Sequence, residues 1–201
     1  MNDILYQVHR GLYVNLTNRC PCACTFCLRQ TMDRVGDSDP LWLKKEPDLA
    51  EVKAAFAERD MSRYDEVVFC GFGEPMERTD LLLQVAAFVK ETYHKPVRVN
   101  TNGLADLING SPTAPRLQGL VDTVSISLNS PHWDEYLALV QPCFGERSFQ
   151  AMLDFAAECV KYVPRVVMTT VATTITPAQE EECAAICRRI GAEYRIRPFE
   201  E

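Results

Sequence analysis

The chain alternates between two hydrophobic rhythms. Short runs with apolar residues at every second position give way to longer runs spaced by three and four. The first rhythm predicts strands at 11–17 (GLYVNLT), 66–71 (EVVFCG), 97–101 (VRVNT), 123–128 (TVSISL), 166–174 (VVMTTVATT) and 194–198 (YRIRP), all rich in β-branched residues and bounded by turn formers. The second predicts helices at 47–59, 79–93, 148–163 and 176–191. Leu49, Val52 and Phe56 share one helical face, and Thr79, Ser148 and Thr176 stand where N-caps are expected. Pro177 in a first turn and Gly191 as a stop complete the last helix. The helical pattern is faintest after the third strand, near APRLQGLV (114–121).

Strict strand–helix alternation implies parallel strands joined by right-handed crossovers. A complete eight-unit barrel needs about 250 residues, so this chain has room for roughly six units. Within the strands, Leu12, Val14 and Leu16 alternate with Tyr13, Asn15 and Thr17. Likewise Val124, Ile126 and Leu128 alternate with Ser125, Ser127 and Asn129, and Val97 and Val99 alternate with Arg98, Asn100 and Asn102. Successive side chains point to opposite faces, so one face suits helices and the other is polar. A doubly wound sheet would be apolar on both. The expected fold is therefore a partial (β/α)6 barrel with a polar lumen, one domain over residues 1–201. The longest irregular stretch, 28–47, is a candidate lid carrying Trp42.

Composition changes the picture in two respects. The formal charge of −7 disfavours tight non-specific binding to nucleic acid, which needs clustered Lys and Arg. The N-terminus lacks the apolar run of a signal peptide, and no stretch is long enough to cross a bilayer, so a cytoplasmic protein without membrane contact is expected. Nine cysteines in that reducing compartment point to metal or catalysis before disulfides.

Four of the nine, Cys20, Cys22, Cys24 and Cys27, directly follow the first predicted strand, at the rim where parallel α/β folds place their sites. Four thiolates could hold zinc, although structural zinc sites more often use two separated pairs and no second C-x-x-C pair is present. The other reading takes Cys20, Cys24 and Cys27, spaced C-x3-C-x2-C. Three thiolates on a four-iron cube leave one iron open to a small molecule.

With Phe26 before its last cysteine, this spacing resembles the signature of the radical S-adenosylmethionine (SAM) superfamily. CGFGEP (70–75) resembles that family's glycine–glutamate motif, and NTNG (100–103) and SISLN (125–129) fall where its members place polar contacts to SAM. More narrowly, NLTNRCPCACTFCLR, VVFCGFGEP, RVNTNGLADLING, VSISLNSP, CFGERSFQAMLDF and a close in YRIRPFE resemble the small TatD-linked radical SAM proteins, encoded near or fused to TatD-family nucleases.

The resemblance implies a [4Fe-4S] cluster on Cys20, Cys24 and Cys27. It implies SAM contacts from Phe26, Gly71, Phe72, Gly73, Glu74, Asn102, Ser127, Asn129 and Arg197. It also implies a flavodoxin- or ferredoxin-type electron donor, and reductive cleavage of SAM to a 5′-deoxyadenosyl radical that takes hydrogen from substrate. It names no catalytic side chain and no substrate. A small molecule, a protein partner activated by a maturase and a nucleic acid stay open, as does a non-catalytic iron–sulfur sensor. A TatD-family nuclease is a candidate partner. Cys22 lies outside the three-cysteine pattern, and the glycine-containing motif many relatives carry on the fifth strand is not found.

The remaining candidates have plainer readings. Cys70, Cys159, Cys183 and Cys187 fit core packing, and Cys143 lies in an irregular rim-side segment. His9, His94 and His132 are scattered without ligand spacing. Arg195 and Arg197 share the polar face and could meet an anion or simply solvent.

Overall fold

The computed structural model describes residues 4–36 and 38–198. The Phe199–Glu200 end of the YRIRPFE segment lies outside the described residues. One sheet of seven strands runs in sequence order: β1 (Leu5–Val8), β2 (Gly11–Val14), β3 (Glu66–Phe69), β4 (Val97–Thr101), β5 (Thr123–Ser127), β6 (Arg165–Val171) and β7 (Glu193–Arg197). The helices are α1 (Leu49–Ala57), α2 (Thr79–Tyr93), α3 (Ala105–Asn109), α4 (Trp133–Val140), α5 (Arg147–Tyr162) and α6 (Pro177–Ile190).

From β2 onward every neighbouring pair is parallel. The expectation of parallel strands throughout needs one correction, because β1 pairs antiparallel with β2. Its four residues are too few to show an alternation, and its His9–Arg10 turn lacks the usual turn formers. His9 takes the left-handed conformation there at φ 52°. β1 and β7 are the two ends of the strand order and do not pair with each other, so the architecture is a partial barrel.

Thr176 caps α6 through a capping box with Gln179, and Gly191 ends it at φ 87°. The other two expected caps are corrected. Thr79 begins α2 and donates its hydroxyl to the carbonyl of Met76, while Ser148 lies inside α5 with its hydroxyl buried and unbonded. α4 was not expected, because its eight residues carry too short an apolar pattern.

Register keeps the two faces apart. Leu12, Val14, Val67, Phe69, Val99, Val124 and Ile126 are fully buried in the core beneath the helices. Each such side chain contributes roughly 1.5–3 kcal/mol relative to exposure. On the opposite face, register places Ser127, Thr169 and Arg195 in one row across β5, β6 and β7. At the N-terminal end of that face Arg98 pairs with Glu66 at 2.6 Å and reaches the Tyr13 hydroxyl at 3.3 Å. Ile196 lies on the helix-side face yet stays exposed, because β7 is an edge.

The polar face is not polar throughout. Tyr6, Leu41 and Phe72 form a second small core there, to which the 28–47 segment contributes Leu41. That segment is fastened at its second half. Asn15 donates Nδ2 to the Leu41 carbonyl at 2.7 Å, and Asn18 makes reciprocal bonds with Leu43 at 2.8 and 3.0 Å. Glu46 accepts from Arg19 at 2.9 Å, from Arg78 at 2.8 Å and from Thr17. Trp42 packs edge-on against Phe72, with ring centroids 5.1 Å apart.

Candidate functional site

The cysteine loop begins two residues past Asn18, at Cys20, and is held from below by the end of α4. Thr25 N–H donates to the Leu139 carbonyl at 2.9 Å, Ala23 N–H to Val140 at 3.1 Å, and Cys143 N–H returns to the Pro21 carbonyl at 2.8 Å. Cys143, exposed, thus belongs to the segment that carries the loop. Arg29 clasps the loop from the other side. Its Nη2 donates to the Cys22 carbonyl at 3.0 Å and its Nη1 to the Phe72 carbonyl at 3.4 Å, joining the cysteine loop to the glycine-rich loop after β3.

The four thiols differ in their surroundings. Cys20, Cys24 and Cys27 are half-buried, whereas Cys22 is buried in the main core and accepts from Asn102 Nδ2 at 3.5 Å. Hydrogen bonds with Cys22 pull Cys20 down to about 6 and lower Cys24, with help from the nearby Arg29 guanidinium. The same two hydrogen bonds, first with Cys20 and then with Cys24, push the Cys22 thiol up. Burial raises Cys27. Phe26 is half-buried between the last two cysteines. Among the described residues, no group of three or more His, Cys, Asp or Glu side chains is arranged to hold one metal ion. A four-iron cube makes no such demand, since each thiolate meets a different iron.

The glycines of CGFGEP answer to the protein itself. A Cβ on Gly73 would lie 2.2 Å from the Thr17 carbonyl oxygen, and one on Gly71 would lie 2.2 Å from Asn15 Oδ1. Close approach of the cysteine strand, rather than of a ligand, therefore requires glycine here. Phe72 turns its ring into the small core under the 28–47 segment, which leaves its backbone for other work. Glu74 is buried at 4% exposure, and its carboxylate accepts from Met76 N–H at 3.0 Å and Asn102 N–H at 2.7 Å. Desolvation outweighs those two bonds and pushes Glu74 up to about 8.

The strand ends supply the rest. Asn102 is spoken for: besides Cys22, its Oδ1 accepts from Leu104 N–H at 2.9 Å. Ser127 is half-buried in the row with Thr169 and Arg195. Asn129 is 2% exposed, adopts φ 65°, and leaves its buried Oδ1 without a hydrogen-bond partner. Asn15 Oδ1 is likewise buried and unbonded. Arg197 is half-buried and lies in the electrostatic surroundings of Cys70, while Arg195 is exposed.

Cys70 corrects an expectation, for it stays out of the main core. It is half-buried on the polar face among Asn100, Tyr6, Arg98 and Arg197, and burial raises its thiol. Cys159, Cys183 and Cys187 are core residues as expected, each raised by burial. His94 ends α2 with Nδ1 on the Lys90 carbonyl at 2.9 Å, and His132 stands 3.3 Å from Glu182. Arg29, Asn15 and Tyr136 were not read from the sequence as site residues. Arg29 follows the cysteines directly, which was a signal. Nothing in the sequence marks Tyr136.

An open, largely parallel α/β barrel with three accessible thiols at the C-terminal end of its first parallel strand defines a class of protein built to hold a cofactor over a polar lumen. The chain belongs to the radical SAM superfamily, whose family model matches residues 14–190. None of the curated proteins searched matches it.

Solved structures share the fold. A radical SAM methyltransferase from Sphaerobacter thermophilus aligns with TM-score 0.66 at 19% identity, over 96% of this chain and 57% of its own. Streptococcus suis SuiB, bound to precursor peptide SuiA, aligns with TM-score 0.72 at 16% identity, over 98% of this chain and 41% of its own. The FeFe-hydrogenase maturase HydG from Carboxydothermus hydrogenoformans gives TM-score 0.61 at 16% identity, over 95% and 44%. The chain thus spans about half the length of the solved structures it resembles or less. Among the described residues no helix is long and apolar enough to cross a membrane.

Proposed function

We propose that the protein is a radical SAM enzyme of the small TatD-linked kind, with Cys20, Cys24 and Cys27 holding a [4Fe-4S] cluster. The observation that carries this reading is the cysteine loop itself. Three thiols remain half-buried at the rim while the fourth, Cys22, is drawn into the core. The donor set fits a cube with one open iron. The buried, unbonded Oδ1 of Asn129 fits a ligand that brings a hydrogen-bond donor.

When bound, the cluster and SAM supply the chemistry, reductive cleavage to a 5′-deoxyadenosyl radical. The chain supplies binding and exclusion of water. The backbone from Gly71 to Glu74, with Ser127, Asn129 and Arg197, lines the place for SAM, and Phe26 borders it. Arg29 fixes the spacing between the cysteine and glycine loops. Leu41, Trp42 and Phe72 cover that side of the lumen. Asn102 and Glu74 support the site from behind, through Cys22 and the β4 terminus.

The fastened 41–47 segment supports a preformed site and hence a small-molecule substrate, while a flavodoxin- or ferredoxin-type donor would reduce the cluster. A second reading, in which a protein such as a TatD-family nuclease is the target, is favoured by the outer edges of β1 and β7, which do not pair with each other and leave the barrel open at its side.

Anaerobic reconstitution with iron and sulfide tests the proposal. About four irons per chain are expected, lost in Cys20→Ala, Cys24→Ala and Cys27→Ala and kept in Cys22→Ala. Addition of SAM and a reductant should then yield 5′-deoxyadenosine. A reconstituted cluster that never cleaves SAM would leave a non-catalytic iron–sulfur protein.

A further inference from the structure

Among the described residues Tyr136 is the largest fully buried side chain, and its hydroxyl has no hydrogen-bond partner. A buried hydroxyl left unbonded costs about 1–3 kcal/mol, and most such groups in native structures have a partner. An exception on this scale points to a partner that arrives with something else.

Its position says what that is. Tyr136 and Val140 are four residues apart in α4, on one helical face, and both are buried. The Val140 carbonyl accepts from Ala23 N–H at 3.1 Å, and Leu139 accepts from Thr25 N–H at 2.9 Å. The cysteine loop thus rests on the C-terminal end of the helix that carries Tyr136. Ala23 and Thr25, the two residues bonded to the end of α4, flank Cys24 in the chain, and Cys24 packs against the same core that holds Tyr136 and Cys22. Cys22 already accepts from Asn102 Nδ2 at 3.5 Å and stands outside the proposed ligand set. Cys24 is the one of the two that the proposed function turns into a metal-bound thiolate, and a thiolate on iron remains a hydrogen-bond acceptor. The ring is fixed independently, by Phe149 at 5.4 Å between centroids.

We infer that Tyr136 is a positioning residue for the cluster: its hydroxyl is held in reserve as a hydrogen-bond donor to the sulfur of Cys24. The inference rests on the cluster assignment of the proposed function. Hydrogen bonds to ligating sulfurs stabilise the reduced cluster, the state with more negative charge, and so raise its potential. In the iron-free protein the hydroxyl does nothing useful.

The test is Tyr136→Phe, which keeps the ring. Iron-free Y136F should melt no lower than wild type, because the lost hydroxyl had no partner. Reconstituted Y136F should show a more negative cluster midpoint in an EPR-monitored redox titration, and the shift should persist in a Cys22→Ala background. An unchanged midpoint at full iron content overturns the inference and leaves the proposed function standing. A clearly lower melting point of the iron-free variant overturns it as well, since the hydroxyl would then have a structural partner. Disappearance of the shift in the Cys22→Ala background overturns the assignment to Cys24. A wild-type protein that takes up no iron overturns the proposed function, and this inference with it.

Discussion

The backbone N–H of Asn102 donates to the buried carboxylate of Glu74 at 2.7 Å. One bond thereby ties the end of β4 to the glycine-rich loop after β3, and it does so with a group pushed up to about 8 by burial. The sign follows from proton counting. Between the ordinary Glu value of 4.5 and about 8 the folded protein keeps a proton that the unfolded chain has lost. Stability from this group is therefore fully present below 4.5 and is lost as pH rises through about 8, at no more than about 1.4 kcal/mol per pH unit. Glu74→Gln should flatten the fall in chemical-denaturation stability of the iron-free protein across that window. A slope unchanged in the variant would assign the pH dependence to other groups.

Arg29 holds the Cys22 and Phe72 carbonyls together across two loops. Arg29→Ala should leave the barrel folded, cost about 1–3 kcal/mol, and speed amide exchange at Cys22–Cys27 and Gly71–Gly73 together. Faster exchange in only one loop would show that the clasp is not shared. Iron release from the reconstituted protein to a chelator should be faster in the same variant.

Gly73 and Gly71 face different obstacles. An added methyl at Gly73 meets backbone, the Thr17 carbonyl, whereas at Gly71 it meets the Asn15 side chain. Gly73→Ala should cost about 3 kcal/mol or more, and Gly71→Ala less, because a side chain gives way more readily than a strand. Urea midpoints decide the order, and the reverse order would contradict the packing described here.

Ser127→Leu should weaken SAM binding to the reconstituted protein by about 1–3 kcal/mol without lowering the melting point. Leu at Asn129 would add backbone strain at φ 65°, so Asn129→Gly is the cleaner probe of its Oδ1. Calorimetry with both variants reads the effect. Undiminished affinity in both would place SAM elsewhere.

Asn18 grips Leu43 by two bonds. Asn18→Ala should raise hydrogen exchange across 41–46 at least tenfold while α2 and β4 stay protected. Exchange in that segment that is already fast in the wild type would restore the mobile-lid reading.

The strand order from β2 to β7 and the helices α1, α2, α5 and α6 were legible in the sequence because both rhythms are set by burial on one side, whereas the helix sought near 114–121 is the shorter α3 at Ala105–Asn109. Alternation in β2, β4 and β5 marked the helix-side face correctly, since register in a parallel sheet forces neighbours such as Leu12 and Val67 onto the same side. The cysteine spacing marked the candidate metal site for a similar reason: ligands close in sequence are close in space whatever the fold. β1 escaped notice because four residues and a His–Arg turn carry too little pattern, and α4 because eight residues span barely two turns.

What only the tertiary structure decided are relationships between residues far apart in the chain. Gly73 reads as a turn or ligand glycine until Thr17 is seen against it. Cys70 reads as core until its neighbours prove to be Asn100 and two arginines on the polar face. Nothing in the sequence marks Tyr136, and Glu74 reads as a residue of the glycine–glutamate motif until packing shows both removed from water. Periodicity reports which side of an element is dry, but a hydrogen bond or a desolvated charge depends on the particular partner that the fold brings to it, and the local sequence does not contain that partner.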